Sequence, residues 1–224
     1  MSFKIAIDGP AATGKSTTAK RLAKKLSFIY IDTGAMYRAM GLYFIENNIS
    51  LYDEQKINEV CNNIDIDIYY ENDEQHIKLN GRDVTKLIRT EEVSKYASVT
   101  SSYLKVREKL VALQRKLAEK NSVIMDGRDI GTVVLPDAEL KIFLTATEEE
   151  RARRRYEELI EKGQDVTIEK VSDELKERDY RDSTRANSPL RQANDAILID
   201  TTGMSINEVV EKIEELYNQK NKTE

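Results

Sequence analysis

A segment near the start of the chain has the composition of a phosphate-binding loop. Residues 9–16 read GPAATGKS and fit the pattern G-x-x-x-x-G-K-[ST], with an apolar strand pattern before them and an amphipathic helix pattern after them. These flanks disfavour a chance match to a glycine-rich turn. In such loops backbone N–H groups surround a polyphosphate. The residues predicted to bind ATP are Gly9, Pro10, Ala11, Ala12, Thr13, Gly14, Lys15, Ser16 and Thr17.

Two side chains of this loop have expected roles in phosphoryl chemistry. Lys15 should reach the β- and γ-phosphates, and the hydroxyl of Ser16 should bind Mg²⁺. Further along, the apolar segment 123–125 is followed by Asp126, Arg128 and Asp129. Ligands bind at the carboxyl ends of strands in open α/β sheets. We therefore expect Asp126 to lie beside the Mg²⁺ site, and Arg128 and Asp129 to project into the cleft.

Charged residues also interrupt the apolar faces of two predicted helices. One stripe, at helical spacing, runs through Ile168, Val171, Leu175, Arg178, Asp182 and Arg185; the other runs through Tyr103, Val106, Leu110, Leu113 and Leu117, with Arg107 among them. Inward charges are costly unless they are paired or bind a ligand. An Arg–Asp network closing a helix end would explain them, and Arg107 alone fits that explanation equally well. Together with the loop they favour a second phosphate site, which guanidinium groups bind bidentately.

A third basic group is Arg151 with the run 153–155, at the start of another predicted helix. These arginines could form a solvated face paired with neighbouring glutamates. They could instead belong to a mobile lid over the transferring phosphoryl group, and Gly163 slightly favours this hinged lid.

The remaining pattern predicts a single α/β domain. Short apolar strands are predicted at 3–7, 28–31, 123–125, 140–144 and 196–199, and helices at 15–26, 35–46, 104–120, 148–161, 168–182 and 206–217. This alternation indicates a parallel sheet covered by helices on both faces. Residues 64–84 instead alternate as β-strands, with a turn predicted at 71–73 and a hairpin signal at Asn80-Gly81, so we expect a small antiparallel insert there.

With these elements in place, the sequence resembles the bacterial cytidylate kinases, a family of P-loop nucleoside monophosphate kinases. The resemblance covers nearly the whole chain and is carried by the blocks IDGPAATGKST at 7–17, IDTGAMYRA at 31–39, IRTEEVSKYAS at 88–98, VREKL at 106–110, DGRDIGTVVLPDA at 126–138 and KERDYRDSTRANSPL at 176–190. It implies a three-layer P-loop kinase fold. The core would be about 1–62 and 100–224, the monophosphate-binding insert about 63–99, and the lid about 150–166.

The resemblance also implies the role of individual residues in transfer from Mg²⁺-bound ATP to CMP or dCMP. The CMP phosphate would be held by Arg38, Arg128 and Arg185. Cytosine would be read by Thr33, Arg107 and Asp129, and the sugar hydroxyls would be held by Ser98, Arg178 and Asp182. Arg154 and Arg155 would belong to the ATP lid, and the residues assigned to catalysis would be Lys15, Arg128, Arg185 and Arg155.

The base assignment also agrees with the chemistry of the pyrimidines. Cytosine offers an amino donor to the Asp129 carboxylate and acceptors to Arg107, whereas uracil would place a carbonyl oxygen against that carboxylate. UMP should therefore be the poorer substrate. The alternatives are a kinase for another small acceptor (UMP, AMP or shikimate) and, less favoured, a P-loop NTPase switch or an RNA-binding regulator.

The composition of the chain limits the function classes and the cellular compartments that we expect. The 224 residues carry a formal net charge of −5, so a dedicated nucleic-acid binder is not expected. The one cysteine, Cys61, suits a reducing cytoplasm and is predicted to be a packed thiol, and no apolar run could cross a membrane. The one histidine, His76, is predicted to be a solvated strand residue. We expect a cytoplasmic monomer.

Overall fold

The computed structural model describes residues 2–71 and 74–222. Its strands are β1 (Lys4–Asp8), β2 (Ile29–Asp32), β3 (Ile66–Glu71), β4 (Glu74–Leu79), β5 (Arg82–Asp83), β6 (Val123–Gly127), β7 (Leu140–Thr145) and β8 (Ile197–Asp200). Its α-helices are α1 (Lys15–Leu26), α2 (Thr33–Glu46), α3 (Glu54–Cys61), α4 (Glu91–Thr100), α5 (Leu104–Ala118), α6 (Glu148–Glu161), α7 (Ile168–Thr184) and α8 (Ile206–Asn221). A 3₁₀ turn spans Leu87–Arg89 and a π-helical turn spans Ile130–Val134.

Five strands form one sheet in the order β2-β6-β1-β7-β8. The central strand β1 is parallel to both neighbours, with Ile7 aligned to Asp126 of β6 and to Ile142 of β7. Its residues Ile5, Ala6 and Ile7 are fully buried, as expected for a strand covered on both faces. The register brings the carboxyl ends of β1 and β6 level, which places the loop after β1 beside the residues that follow Met125.

The chain divides into two compact units, residues 1–29 with 122–224, and residues 30–121. In the first unit α1 packs on β1, β6 and α8, and α8 also packs on β7. The predicted P-loop kinase class, a parallel α/β sheet with helices and a small antiparallel insert, is confirmed. The division into core, insert and lid stays a prediction.

The second unit contains the predicted antiparallel insert, in the order β3-β4-β5. The Asn80-Gly81 turn is confirmed, since both residues have positive φ angles of 49° and 80° between β4 and β5. Of the predicted turn at 71–73, Asn72 and Asp73 lie outside the described residues. Elsewhere in this unit α2 packs against α4, α5 and β4.

Predicted and observed elements agree closely where the pattern is strong. The helices at 15–26 and 148–161 begin and end as predicted, and no other predicted boundary shifts by more than four residues. Helices α3 and α4 were not predicted as elements. Ile168 was predicted to be in the core and this is wrong, because it is 40% exposed in the first turn of α7.

The inward face of α5 differs in part from the predicted stripe. Leu113 and Leu117 are only half-buried, whereas Val111, Gln114 and Ala118 are buried. The prediction that Arg107 faces inward is confirmed, since it is 3% exposed. No helix within residues 2–71 and 74–222 is long and apolar enough to span a membrane.

Candidate active site

The loop between β1 and α1 needs its glycines for steric reasons. At Gly9 φ is 146°, and a Cβ there would lie 2.0 Å from the carbonyl oxygen of Leu144. Gly14 has φ of 85° and precedes α1 without a side chain that could cap the first turn. The N–H groups at the start of α1 are therefore not capped by the residue before the helix, and they can be offered to an anion.

Lys15 is buried within this loop. Its Nζ donates hydrogen bonds to the carbonyl oxygen of Pro10 and to Oγ1 of Thr13. Burial, and then the nearby Arg128 guanidinium, lower the pKa of Lys15 well below its usual range, while Asp126 and Asp8 oppose that change. An anion that entered the loop would favour the charged ammonium and relieve the repulsion from Arg128.

Ser16 and Asp126, the two residues predicted for the metal site, are in direct contact. The Oγ of Ser16 donates to Oδ2 of Asp126 across 2.7 Å. A hydroxyl and a carboxylate are oxygen ligands of the kind that Mg²⁺ accepts. Among the described residues no group of three or more His, Cys, Asp or Glu could hold a metal ion. The pair therefore fits a Mg²⁺ ion, whose remaining ligands would have to come from nucleotide phosphates and water.

Beside the loop, charged residues that directly follow β6 form a buried ionic group with charged residues at the C-terminal end of α7. Arg128 Nε donates to Oδ2 of Asp182 across 2.8 Å, and Arg185 Nη1 lies 4.0 Å from Oδ1 of the same carboxylate. Arg185 Nη2 also lies 3.5 Å from Oδ1 of Asp129. The structure thus brings Arg128, Asp129, Asp182 and Arg185 together, and their roles toward the acceptor nucleotide stay predictions.

Two details of this group differ from the sequence expectation. Arg185 follows the last helical residue with an extended ψ of 140°, so it does not continue the helical face as predicted. Asp182 makes a short contact of 2.8 Å with Arg128, a pairing that the sequence did not predict. Although burial opposes it, Arg128 and then Arg178 hold the pKa of Asp182 below its usual range.

Asp8 is a site residue that sequence reasoning missed. It is 4% exposed, and its carboxylate accepts hydrogen bonds from the backbone N–H groups of Ile130 (2.8 Å) and Gly131 (2.7 Å). Burial outweighs these two bonds and raises the pKa of Asp8 to about 6. The available signal was an acid that directly follows the apolar run Ile5-Ala6-Ile7 of a strand. Asp8 holds the turn that directly follows Arg128 and Asp129.

The proposed lid arginines lie on α6 and are paired with its own carboxylates. Arg155 donates to Glu158, and Arg153 donates to Glu150 and Glu157, as a solvated helical face would require. Arg154 donates to Glu150 and also to Oγ1 of Thr201. Thr201 lies 3.4 Å from the carbonyl oxygen of Thr13 in the phosphate loop. The role of Arg154 and Arg155 toward ATP stays a prediction.

In the second unit, Arg38 is held by an acid that was not predicted. Arg38 Nη2 donates to Oδ2 of Asp32 across 2.9 Å, and Arg89 Nη1 lies 3.6 Å from the same oxygen. The other oxygen of Asp32 accepts from the N–H of Ala35 and so caps α2. Gln75 Oε1 in turn accepts from the backbone N–H of Asp32 across 2.8 Å. This arrangement sets the position of Arg38 within the unit.

The other second-unit residues named from the sequence are also placed inside it. Thr33 begins α2 and is 3% exposed. Arg107 Nη1 donates to the carbonyl oxygen of Ser101 across 3.2 Å, and its guanidinium lies over the ring of Tyr37 at 5.8 Å. Within the described part of the chain, the buried Oγ of Ser98 has no hydrogen-bond partner. A buried hydroxyl without a partner is the kind of group that a ligand can satisfy.

The structure agrees with the prediction for Cys61 and only in part with the prediction for His76. Cys61 is a buried free thiol in α3, and burial raises its pKa. His76 is not simply solvated, because its ring stacks on Tyr69 at 5.0 Å and Nδ1 lies 3.7 Å from Asp83. Neither residue joins the groups described above.

Comparisons with known proteins point to one family. The family model described as Cytidylate kinase matches residues 5–219. The chain is 56% identical to the cytidylate kinase of Carboxydothermus hydrogenoformans over 98% of this chain and 99% of that protein. It is 53% identical to the cytidylate kinase of Bacillus subtilis (strain 168), with 98% of each chain covered. A crystal structure of an uncharacterized protein from Eubacterium ventriosum is similar at a TM-score of 0.55 and 13% identity, over 98% of this chain and 99% of that one, and supports the fold alone.

Proposed function

This chain belongs to the cytidylate kinase family, and we propose that it transfers the γ-phosphoryl group of ATP directly to the phosphate of CMP or dCMP. An oxygen of the acceptor phosphate forms the new bond to the γ-phosphorus, and the bond from that phosphorus to the β–γ bridging oxygen breaks. The products are ADP and CDP or dCDP. The acceptor supplies the nucleophile, so catalysis consists of alignment and charge neutralisation by the protein.

One observation carries the proposal most strongly. The guanidinium of Arg128 lies close enough to Lys15 to lower the pKa of that lysine, in the same direction as burial. Lys15 belongs to the loop for the donor phosphates, and Arg128 is assigned to the acceptor phosphate. Two cations held so close together repel each other unless anions lie between them. A pair of phosphate groups exchanging a phosphoryl group meets that requirement.

Within the first unit, one set of residues binds the donor ATP and another set binds the acceptor phosphate. The N–H groups of residues 9–17 and Lys15 bind the polyphosphate of ATP, and Arg128 and Arg185 hold the acceptor phosphate. Ser16 and Asp126 hold Mg²⁺, which when bound neutralises phosphate charge. Support comes from the Ser16–Asp126 contact and from the ionic contacts of Arg128 and Arg185 with Asp182 and Asp129.

The remaining assignments follow the family resemblance residue by residue. Arg38 contributes to phosphate binding, Ser98, Arg178 and Asp182 to the sugar, and Thr33, Arg107 and Asp129 to the base. Support comes from the buried hydroxyl of Ser98, which has no hydrogen-bond partner among the residues that the structure describes, and from the inward position of Arg107. A lid at 150–166, containing Arg154 and Arg155, excludes water from the transfer, and the enzyme acts as a monomer in the cytoplasm.

A coupled ADP-release assay tests this function. Purified protein with Mg-ATP is offered CMP, dCMP, UMP, AMP or shikimate, and ADP release without acceptor is measured in parallel. We expect CMP and dCMP to be the efficient acceptors and release without acceptor to be slow. A best rate with AMP or shikimate would refute the assignment, and release that no acceptor accelerates would favour an NTPase switch. Lys15→Ala should lose turnover by orders of magnitude, whereas Lys24→Ala, at the exposed end of the same helix, should retain it.

A further inference from the structure

The backbone of Ala11, in the phosphate loop, is held on both sides by an ion pair from two other helices. Its N–H donates to Oδ1 of Asp179 on α7 across 3.3 Å. Its carbonyl oxygen accepts from Nη1 of Arg151 on α6 across 3.4 Å. The same Arg151 nitrogen donates to Oδ2 of Asp179, which closes the arrangement. A loop residue that should face donor phosphates is thus fixed by side chains outside the loop.

Apolar packing joins the same three parts of the chain. The methyl group of Ala11 is buried in a cluster with side chains of α6 and α7, namely Ala152, Leu159, Val171 and Leu175. Ala11 is 6% exposed and the Arg151 side chain 9% exposed, so water competes weakly for these contacts. Movement of α6 or α7 would therefore displace the loop at Ala11, because a packed core does not deform continuously.

Helix α7 also carries residues of the acceptor side. Asp179 is adjacent to Arg178 and lies three residues before Asp182, which pairs with Arg128. The charge of Asp179 also acts on the Arg128 guanidinium, alongside that of Asp182. One helix therefore contacts the donor loop through Asp179 and the acceptor-binding arginine through Asp182.

We infer that Arg151 and Asp179 are positioning residues that couple occupancy of the ATP loop to binding of the acceptor nucleotide by α7. The inference rests on the proposed function. ATP phosphates that reorient the loop would shift Asp179, and α7 would carry that shift to Asp182 and Arg128. By linkage, acceptor binding would change ATP affinity by the same factor. The sequence assigned no role to Asp179, and it left Arg151 either in a solvated helical face or in a lid.

A purely structural role would make the pair one more bridge between α6 and α7. The chain offers a matched control for this alternative, because Lys176 of α7 lies 3.6 Å from Glu148 of α6 and is exposed. That pair joins the same two helices without a contact to the phosphate loop among the described hydrogen bonds. Lys176→Gln therefore removes an α6–α7 bridge and leaves the Ala11 contacts in place.

Calorimetry on the full chain tests the inference without requiring turnover. The dissociation constant for CMP is measured alone and with a saturating nonhydrolysable ATP analogue, and the ratio of the two values is the coupling factor. We expect a factor of about fivefold or more for the unaltered protein, in the range usual for coupled sites. Arg151→Gln and Asp179→Asn should bring it within about twofold of one, and Lys176→Gln should retain the original factor. Asp179→Asn keeps one oxygen for the Ala11 N–H, but it places an amide NH₂ group opposite Arg151 and so removes both the charge and the contact with that guanidinium.

Several results would overturn the inference. These are a coupling factor of one in the unaltered protein, an unchanged factor in both variants, or an equal loss in Lys176→Gln. The double variant Arg151→Gln/Asp179→Asn should lose no more coupling than either single variant, because the residues act as one pair. Arg151→Lys should recover part of the factor, and thermal melting confirms that each variant is folded. Failure of the proposed function would appear separately, as absent CMP-dependent ADP release by the unaltered protein.

Discussion

The Oγ of Ser16 donates a hydrogen bond to Oδ2 of Asp126 across 2.7 Å, although 110 residues separate them in the chain. The parallel register aligns Asp126 with Ile7, so the end of β6 lies beside the loop that follows β1. The helix start supplies the hydroxyl and the neighbouring strand supplies the carboxylate. This relationship places the pair that we propose to bind Mg²⁺ at the end of the phosphate loop.

Asp126→Asn should raise the Mg²⁺ concentration needed for half-maximal turnover and lower turnover about tenfold or more, since it removes a charged partner of the Ser16 hydroxyl. The measurement is a Mg²⁺ titration of ADP release at fixed ATP. Asp137→Asn is the control, because that carboxylate is 73% exposed. An unchanged Mg²⁺ dependence would remove Asp126 from the metal site.

Asp182→Ala should destabilise the fold as well as weaken the acceptor site. It leaves the Arg128 guanidinium buried without its closest anion, a change that costs about 3–5 kcal/mol in comparable buried pairs. The Michaelis constants for CMP and dCMP should both rise and their ratio should change. Arg185→Ala should instead lower turnover with both acceptors by similar factors. Denaturant unfolding and kinetics on both substrates measure these effects.

The control for Asp182→Ala is Glu177→Gln, which breaks an exposed pair with Arg181 on the same helix. It should change neither unfolding nor kinetics appreciably. If Arg185→Ala changed the CMP to dCMP preference and Asp182→Ala did not, the sugar and phosphate assignments along α7 would be reversed.

Asp8 should make the stability of the protein depend on pH in a defined window. Its folded pKa of about 6 exceeds the usual 3.8, so between these pH values the folded protein retains a proton that the unfolded chain releases. The free energy of unfolding should therefore fall as pH rises from about 4 to 6, by an amount on the order of 3 kcal/mol from this residue. Urea unfolding at intervals across this window measures it.

Asp8→Asn should abolish that part of the pH dependence. The variant should also lower turnover at pH 7.5, because an amide offers only one oxygen to the two N–H groups of Ile130 and Gly131. If the free energy of unfolding of Asp8→Asn still fell by the same amount across this pH range, a group other than Asp8 would be responsible for the pH dependence.

Asp32→Asn should raise the Michaelis constant for CMP by releasing Arg38 from its charged partner. The loss of one charge-assisted hydrogen bond is worth about 1.5–3 kcal/mol, so a rise of about tenfold or more is expected. Glu46→Gln is the control, because it breaks the exposed pair with Arg82 in the same unit. An equal effect of both substitutions would show that Asp32 acts through general stability alone.

Asp129→Ala should reduce efficiency with CMP far more than with UMP, if its carboxylate accepts from the cytosine amino group. The discrimination at stake is about 1–3 kcal/mol, the value of a good base-edge pair. The ratio of kcat/KM for the two nucleotides is the measurement. Equal losses would mean that Asp129 serves mainly to hold Arg185, which lies 3.5 Å away.

Much of the fold could be predicted because its signals are local. The start of α1 at Lys15, the turn at Asn80-Gly81 and the burial of Val171 and Leu175 depend on neighbours within a few residues. The spacing of apolar and turn-forming residues over such short distances indicates which local backbone hydrogen bonds and apolar contacts form. The inward charge of Arg107 was also evident, because it interrupts a helical stripe.

The sequence by itself therefore determined the phosphate loop, the α/β class and most of the residues that bear charge in the site. Only the tertiary structure decided which of them are partners. Asp182 pairs with Arg128 across 54 residues, Asp8 holds Gly131 across 123, and Asp179 reaches Ala11 across 168. No local spacing encodes these pairs, because the order and register of the strands and the packing of α6 on α7 bring them together. The same packing leaves Ile168 exposed, since it lies in the first turn of α7, outside the cluster that Val171 and Leu175 form with Ala11.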